Sequence, residues 1–109
     1  MKSHLPPPTK AESRRMDIIK RDIGCIACKK YSEDYVPAHA HHLISPDTGN
    51  RISHLAVIPL CSMHHDLPGG SVHRNKVWFR EAFGSDEELL AETNRLVAAF
   101  EANIIGKAP

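Results

Sequence analysis

The residues of this 109-residue chain best suited to chemistry are cysteines and histidines, and most of them fall in one segment. Seven of the eight histidines lie between residues 39 and 73, where an even spread would place between two and three. Cys25-x-x-Cys28 and Cys61-x-x-His64 have the two-residue gaps that let a turn aim both side chains at one tetrahedral Zn²⁺. An odd number of cysteines also argues against a closed disulfide framework. The sequence therefore predicts a structural zinc site made of these four residues.

Adjacent histidines indicate a second site. His65 follows His64 directly, so if His64 binds zinc then His65 must face elsewhere. On a strand, His39 and His41 share one face while His42 points to the other. One histidine can therefore bind a metal while its neighbour stays free as a base. Phosphodiester hydrolysis needs this division, because a cation stabilises the phosphate and leaving oxygen while a base with a pKa near 7 activates water.

The elements that must position these residues begin with a leader and a helix. Residues 1–8 include three consecutive prolines and carry no packing pattern, so we expect a flexible leader. Thr9-x-x-Glu12 is a capping box, from which a helix runs to about Asp22 before Gly24 ends it. The chain therefore divides into a leader at 1–8, a basic helix at 9–23 and a metal-binding domain at 24–109.

The histidine-rich segment predicts two strands and the start of a helix. The β-prone runs occupy residues 35–44 and 55–60, separated by a turn-forming loop at 45–51, and a helix starts near Cys61. Amphipathic spacing predicts another helix over 75–83. A capping box at Ser85 then opens a longer helix that Gly106 ends. The residues of these two helices predicted to form the core or a packing surface are Trp78, Phe79, Ala82, Phe83, Leu89, Thr93, Leu96, Val97, Phe100 and Ile104.

Composition and charge exclude several classes of protein. A chain that is 41% hydrophobic and 25% charged is typical of one globular domain. We expect no membrane association, because no stretch approaches the roughly 18 apolar residues of a membrane span. The net charge is +1, yet residues 1–24 carry six Lys or Arg against three Asp or Glu, and residues 85–109 carry two against five. The basic segment at residues 1–24 is compatible either with binding to a nucleic-acid phosphate backbone or with a solvent-exposed helix face.

The stretch from Cys25 to His65 resembles the zinc-containing HNH endonucleases. It combines Cys-x-x-Cys, His41-His42-Leu43-Ile44, a loop, and Pro59-Leu60-Cys61-x-x-His64-His65. The resemblance implies an α+β fold, a small ββα-metal, treble-clef-like zinc domain with flanking N- and C-terminal helices. It implies that His41 is the first ligand of the catalytic metal, His42 the general base and His65 the ligand from the helix. Residues 24–109 are then the HNH nuclease domain with its C-terminal helices.

Three further motifs look like the phage-encoded Ref branch of HNH nucleases, which are RecA-dependent DNA-cutting proteins. They are Arg51-x-Ser53-His54, the run from Ile58 to His65, and Gly70-x-x-His73-Arg74-x-x-x-x-Phe79. The resemblance covers about residues 24 to 90 and implies His73 as an additional metal ligand. At the position of the family's middle Asn it favours His54, with Asn50 nearby as the alternative. Its implied setting is the cytoplasm of a bacterial host, with a phage- or prophage-encoded protein.

The resemblance implies a DNA endonuclease of recombination or DNA processing, leaving 5′-phosphate and 3′-hydroxyl ends. Its cofactors are a structural Zn²⁺ and a second divalent ion, Mg²⁺, Mn²⁺ or Zn²⁺. DNA is the implied partner, with a RecA filament as a further candidate. The residues expected to contact DNA are Arg14, Arg15, Lys20, Arg21, Arg51, Arg74 and Lys76.

A non-catalytic zinc module that binds nucleic acid is the alternative. It also predicts salt-dependent DNA binding, but only the nuclease requires His42. A zinc deaminase is disfavoured because His39-Ala40-His41 places His where that site needs Glu. A metalloprotease is disfavoured because no His-Glu-x-x-His occurs.

Overall fold

A two-stranded sheet and four helices make up this protein, whose computed structural model describes residues 5–32, 34–68 and 70–107, the last three by backbone only. This arrangement confirms a small α+β fold. The elements in chain order are helix α1 (Lys10–Ile18), strands β1 (His39–His42) and β2 (Val57–Leu60), and helices α2 (Ser62–His65), α3 (Lys76–Phe83) and α4 (Asp86–Lys107). Two short helical turns, Ile19–Ile23 and Cys28–Lys30, lie between α1 and β1.

The two strands pair antiparallel, with His39 opposite Leu60 and His42 opposite Val57. β1 is shorter than the predicted run over 35–44: it begins two residues after Pro37, which has no amide hydrogen to donate, and beyond His42 the pairing is reduced to an isolated bridge between Ile44 and Arg51. β2 is buried along its whole length. The hairpin thus presents its histidines on β1 while β2 anchors it in the core.

The first helix begins at the predicted capping box. The hydroxyl of Thr9 accepts from the amide of Glu12, and the Glu12 carboxylate accepts from the amide of Thr9. After α1 the chain continues as a π-helical turn, Ile19–Ile23, which ends at Gly24. The φ of Gly24 is +78°. A Cβ at Gly24 would lie 2.8 Å from the carbonyl oxygen of Val36, so this position needs glycine for both its φ and its space.

Two buried clusters join the sheet to the helices. One contains Cys25, Ile26, Ala27, Cys28, Leu43, Ala56, Ile58, Leu60, Cys61, Val72, Phe79 and Leu89. The other contains Ile18, Ile19, Ile23, Val57 and Val97. The first cluster includes all three cysteines, so the thiols predicted to bind zinc are part of the core itself.

The predicted apolar residues of the C-terminal helices are only partly buried. Trp78 is 43% exposed although its ring packs against Phe83, Ala82 is exposed, and Ile104 is 49% exposed near the end of α4. Helix α4 also passes through Gly106 and ends at Lys107, since glycine weakens a helix without forbidding it. Among the described residues, no helix has the length and apolarity needed to cross a membrane.

Candidate metal centres

A buried cluster gathers the four side chains predicted to bind zinc. Cys25 and Cys28 lie in the turn after α1, Cys61 follows β2, and His64 lies on α2. Nδ1 of His64 lies 3.6, 3.5 and 3.3 Å from the sulfur atoms of Cys25, Cys28 and Cys61. The sulfur atoms of Cys28 and Cys61 are 3.8 Å apart. All four ligand atoms lie within 4.8 Å of one another.

These spacings are compatible with one tetrahedral zinc ion. Zinc binds sulfur at about 2.3 Å and imidazole nitrogen at about 2.0 Å, so its ligands stand about 3.8 Å apart for two sulfurs and about 3.5 Å for sulfur and nitrogen. Burial raises the pKa of the Cys25 thiol to about 12 and also raises the pKa of Cys28. Thiolates in this cluster therefore need a cation beside them. A buried set of three sulfurs and one nitrogen is the donor chemistry of structural zinc.

Two aromatic residues hold the ring of His64. The hydroxyl oxygen of Tyr31 lies 3.4 Å from Nε2 of His64, and the ring of Phe83 packs against the imidazole at a centroid distance of 4.9 Å. With a zinc ion bound to Nδ1, Nε2 would carry the ring hydrogen and donate it to the Tyr31 hydroxyl. Sequence reasoning did not single out Tyr31, because no spacing rule relates it to a histidine 33 residues away.

A second cluster joins His41 of β1, His65 of α2 and His73 of the loop before α3. One ring nitrogen from each lies within 4.8 Å of the others. Their ring centroids are 5.2, 4.9 and 4.7 Å apart. The amide of His73 donates to the carbonyl of His65, which holds the loop beside α2. His41 is buried, His65 is half-buried and His73 is exposed, so this cluster opens to solvent.

Burial and neighbouring charges lower the pKa values of two histidines of the cluster, His41 and His65. Burial, together with the positive forms of His65 and His73, lowers the pKa of His41 to about 3. Burial also lowers the pKa of His65. Neutral imidazoles offer the lone pairs that a metal ion requires. Beside the cluster lies a cavity of about 300 Å³, lined by Ala40, His41, His42, Ile44, Arg51, His65 and His73.

His42 belongs to a chain of hydrogen bonds outside the three-histidine cluster. Its Nε2 lies 3.0 Å from Nδ1 of His54, and Nε2 of His54 lies 2.7 Å from the backbone carbonyl oxygen of Pro6. Burial lowers the pKa of His42, and the charges of Arg51 and His54 lower it further. His42 is therefore neutral at neutral pH and borders the same cavity as the cluster. Sequence reasoning did not find Pro6, since a backbone carbonyl leaves no signal in residue type.

His39 lies next to the cluster without joining it. Its Nδ1 is 3.4 Å from Nδ1 of His65, and its Nε2 is 3.5 Å from the hydroxyl of Ser62. Asn50, the alternative to His54 at the middle position, forms backbone contacts in the loop with Ser45 and Thr48. The structure thus brings His54, rather than Asn50, to His42.

The cations predicted to contact DNA fall in two groups. In the first group, Arg51 lines the same cavity as His42. Lys76 lines a smaller cavity together with His41 and His73. Arg74 is exposed and pairs with Asp66 at 3.4 Å. Arg51 and Lys76 therefore border the three-histidine cluster.

The second group lies on α1 and the turn that follows it. Arg14 and Arg21 are exposed, and Lys20 lies 4.0 Å from Asp17. The guanidinium of Arg15 instead donates to the carbonyl of Val57 at 3.4 Å and to the side-chain oxygen of Asn94. Arg15 therefore ties α1 to β2 and α4, although the sequence suggested a DNA contact.

Residues 8–98 match a protein-family model described as Recombination enhancement, RecA-dependent nuclease. The matched span begins before α1 and ends within α4, so it contains both clusters. No curated protein matches the chain.

Proposed function

The chain belongs to the family of RecA-dependent nucleases of recombination enhancement, and from this we propose that it is a metal-dependent DNA endonuclease with an HNH mechanism. One observation carries the proposal: a neutral histidine, His42, borders the same cavity as the cluster of His41, His65 and His73. A base and a metal-capable cluster that share one cavity are the parts that metal-assisted hydrolysis requires.

The proposed fold is the ββα-metal arrangement of HNH nucleases. β1 carries His41 and His42 in succession, β2 pairs with it, and the following helix α2 carries His65. Cys25, Cys28, Cys61 and His64 would hold a structural zinc beneath this unit. Their place in the main core supports a role in folding rather than in chemistry.

The second cluster would hold a divalent ion through His41, His65 and His73. Imidazole ligands favour softer ions such as Zn²⁺ for binding, while Mg²⁺ or Mn²⁺ can still support turnover. When bound, the ion would stabilise the negative charge on the phosphate and on the leaving 3′ oxygen.

The chain's own residues would supply base and phosphate contacts. His42 takes a proton from the attacking water, the water oxygen bonds to phosphorus, and the bond from phosphorus to the 3′ oxygen breaks. The 3′ oxygen then takes a proton from solvent, which leaves 5′-phosphate and 3′-hydroxyl ends. Arg51 and Lys76, which border the cavities around the cluster, would contact phosphate oxygens.

The same proposal names the substrate as DNA associated with a RecA filament in the cytoplasm of a bacterial host, with a phage or prophage origin. The family description supports the RecA relationship. Cleavage of one DNA with and without a preformed RecA filament tests it: cutting should increase with the filament, and equal cutting in both reactions would contradict RecA dependence.

His42→Ala tests the mechanism. Because a free base contributes to the transition state, the variant should lose about 10²- to 10⁴-fold in cleavage rate. It should keep its fold, its metal content and its DNA affinity, measured by circular dichroism, elemental analysis and equilibrium binding.

His39→Ala is the matched control, since it removes a histidine from the same strand. It should cleave at close to the rate of the unchanged protein. If His42→Ala cleaves at the unchanged rate under saturating Mg²⁺ or Mn²⁺, the assignment is wrong, and His39 as base or a non-catalytic zinc module takes its place.

A further inference from the structure

We propose that the leader positions the catalytic base: the carbonyl of Pro6 holds the hydrogen of His54 on Nε2, which in turn leaves Nδ1 of His42 free to accept a proton. The inference rests on the proposed nuclease function. It assigns a role to residues 5–8, which precede the capping box of α1.

The proton positions follow from the two contacts. A backbone carbonyl can only accept a hydrogen bond, so the contact of 2.7 Å requires a hydrogen on Nε2 of His54. In the neutral form of His54 the ring carries one N–H, so with the hydrogen on Nε2 its Nδ1 is an acceptor. The contact of 3.0 Å then requires a hydrogen on Nε2 of His42. Nδ1 of His42 is left with its lone pair, which makes it the basic atom.

The opposite tautomer would disable the base. If His54 carried its hydrogen on Nδ1, it would donate to Nε2 of His42, and a neutral His42 would then carry its own hydrogen on Nδ1. The Pro6 carbonyl discriminates between these two states because it accepts a hydrogen bond only from the first. Loss of this contact should therefore lower the rate of proton transfer without removing any residue from the cavity.

The composition of the leader suits this role. Prolines have no amide hydrogen, so Pro6, Pro7 and Pro8 can offer only acceptors to the histidines. Each ring also restricts φ to about −65°, which makes a short proline run stiff and extended. The capping box fixes the position of Thr9. The stiff proline run that precedes Thr9 can therefore place the Pro6 carbonyl beside His54 with little loss of chain entropy.

The first experiment replaces Pro6, Pro7 and Pro8 by glycine in the full chain. We expect kcat for DNA cleavage to fall by about 10- to 100-fold, because a loosely oriented catalytic group loses rate while substrate binding is retained. KM and the thermal midpoint should stay nearly unchanged, since the capping box is intact. Pro46→Gly, at an exposed proline of the loop between the strands, is the control for general loss of proline and should keep kcat.

A double-mutant cycle with His54→Asn isolates the contact. The amide oxygen of Asn occupies the same place along the side chain as Nδ1 of His, so it can accept from His42, but Asn does not extend to Pro6 as the imidazole does. In the His54→Asn background the glycine replacement should have no further effect on kcat. An equal loss in both backgrounds would overturn the proposal.

The tautomers themselves can be measured by ¹⁵N NMR of the histidine rings in the protein with its metals bound. Both His42 and His54 should show a protonated Nε2 and an unprotonated Nδ1, and the glycine variant should shift His54 toward an average of both tautomers. A hydrogen on Nδ1 of His54 in the unchanged protein would overturn the proposal. The readout does not require cleavage, so an inactive protein would refute the nuclease proposal while the shifts still decide the role of Pro6.

Discussion

The cluster of three cysteines with His64 and the cluster of three histidines differ in burial and in donor type. The first is buried at every position and forms part of the main core. The second runs from buried His41 to exposed His73 and has a cavity beside it. Closed sites with four protein ligands are structural, whereas sites with three ligands and an open position are the ones that react.

Helix α2 shows how closely the two regions are joined. His64 and His65 are consecutive, yet one turns into the core and the other to the open cluster. Successive residues of an α-helix are rotated by about 100°, so a single short helix can direct His64 to one cluster and His65 to the other. Because each cluster uses a different residue of α2, a substitution in one cluster should leave the ligand atoms of the other in place.

Loss of a cysteine ligand should have the largest effect. Cys28→Ser should abolish the cooperative thermal transition, because structural zinc contributes about 10–16 kcal/mol in comparable sites, as much as the whole stability of a small domain. Strong chelation of the unchanged protein should do the same. Ser32→Ala, a control substitution outside the cluster, should keep the cooperative thermal transition of the unchanged protein. An unchanged thermal midpoint in Cys28→Ser or after chelation would show that the cluster of three cysteines and His64 does not stabilise the fold.

Loss of a ligand from the open cluster should affect activity and spare the fold. His65→Ala should lose one of two bound ions per chain by elemental analysis and about 10²-fold or more in cleavage rate, because the charge on the leaving oxygen is less stabilised. Excess divalent ion should restore part of the rate. His39→Ala, whose ring contacts His65 but lies outside the cluster, should keep both ions. Full occupancy in His65→Ala would show that this histidine is not a ligand.

The close approach before Cys25 gives a smaller effect on stability. Gly24→Ala and Gly49→Ala both place Ala at a positive φ, +78° and +75°, and such sparsely populated backbone conformations cost on the order of 1–3 kcal/mol each. Only at Gly24 does the added Cβ meet other atoms, 2.8 Å from both Tyr35 and Val36. Chemical denaturation should show Gly24→Ala as the less stable variant by about a further 1–3 kcal/mol. Equal losses would mean that the chain relaxes around the cysteine turn.

Removal of one hydroxyl beside the closed cluster should have the smallest effect. Tyr31→Phe deletes the partner of Nε2 of His64 while keeping the ring near Phe83. We expect about a tenfold weaker metal affinity in competition with a chelator, the lower end of effects seen for such partners. Cleavage by the metal-loaded variant should be unchanged. A loss of activity with unchanged affinity would instead connect Tyr31 to the open cluster.

The sequence by itself determined the local parts of the protein. Capping boxes at Thr9 and Ser85, the helix end at Gly24, and the ligand pairs around Cys25 and Cys61 are predictable because hydrogen bonds and side-chain spacing within one turn depend on a few adjacent residues. The alternation of His41 and His42 across β1 is equally local. The Cys-x-x-Cys pair, His41-His42 and the run ending at His65 also carried the resemblance to HNH endonucleases.

Only the tertiary structure decided which distant groups meet. Arg15 looks like any exposed cation of a basic helix, yet its guanidinium reaches Asn94, 79 residues away. The carbonyl of Pro6 reaches His54 across 48 residues, and Tyr31 reaches His64 across 33. Such contacts depend on how helices pack on the hairpin and on backbone atoms that every residue shares, so neither residue type nor spacing can encode them.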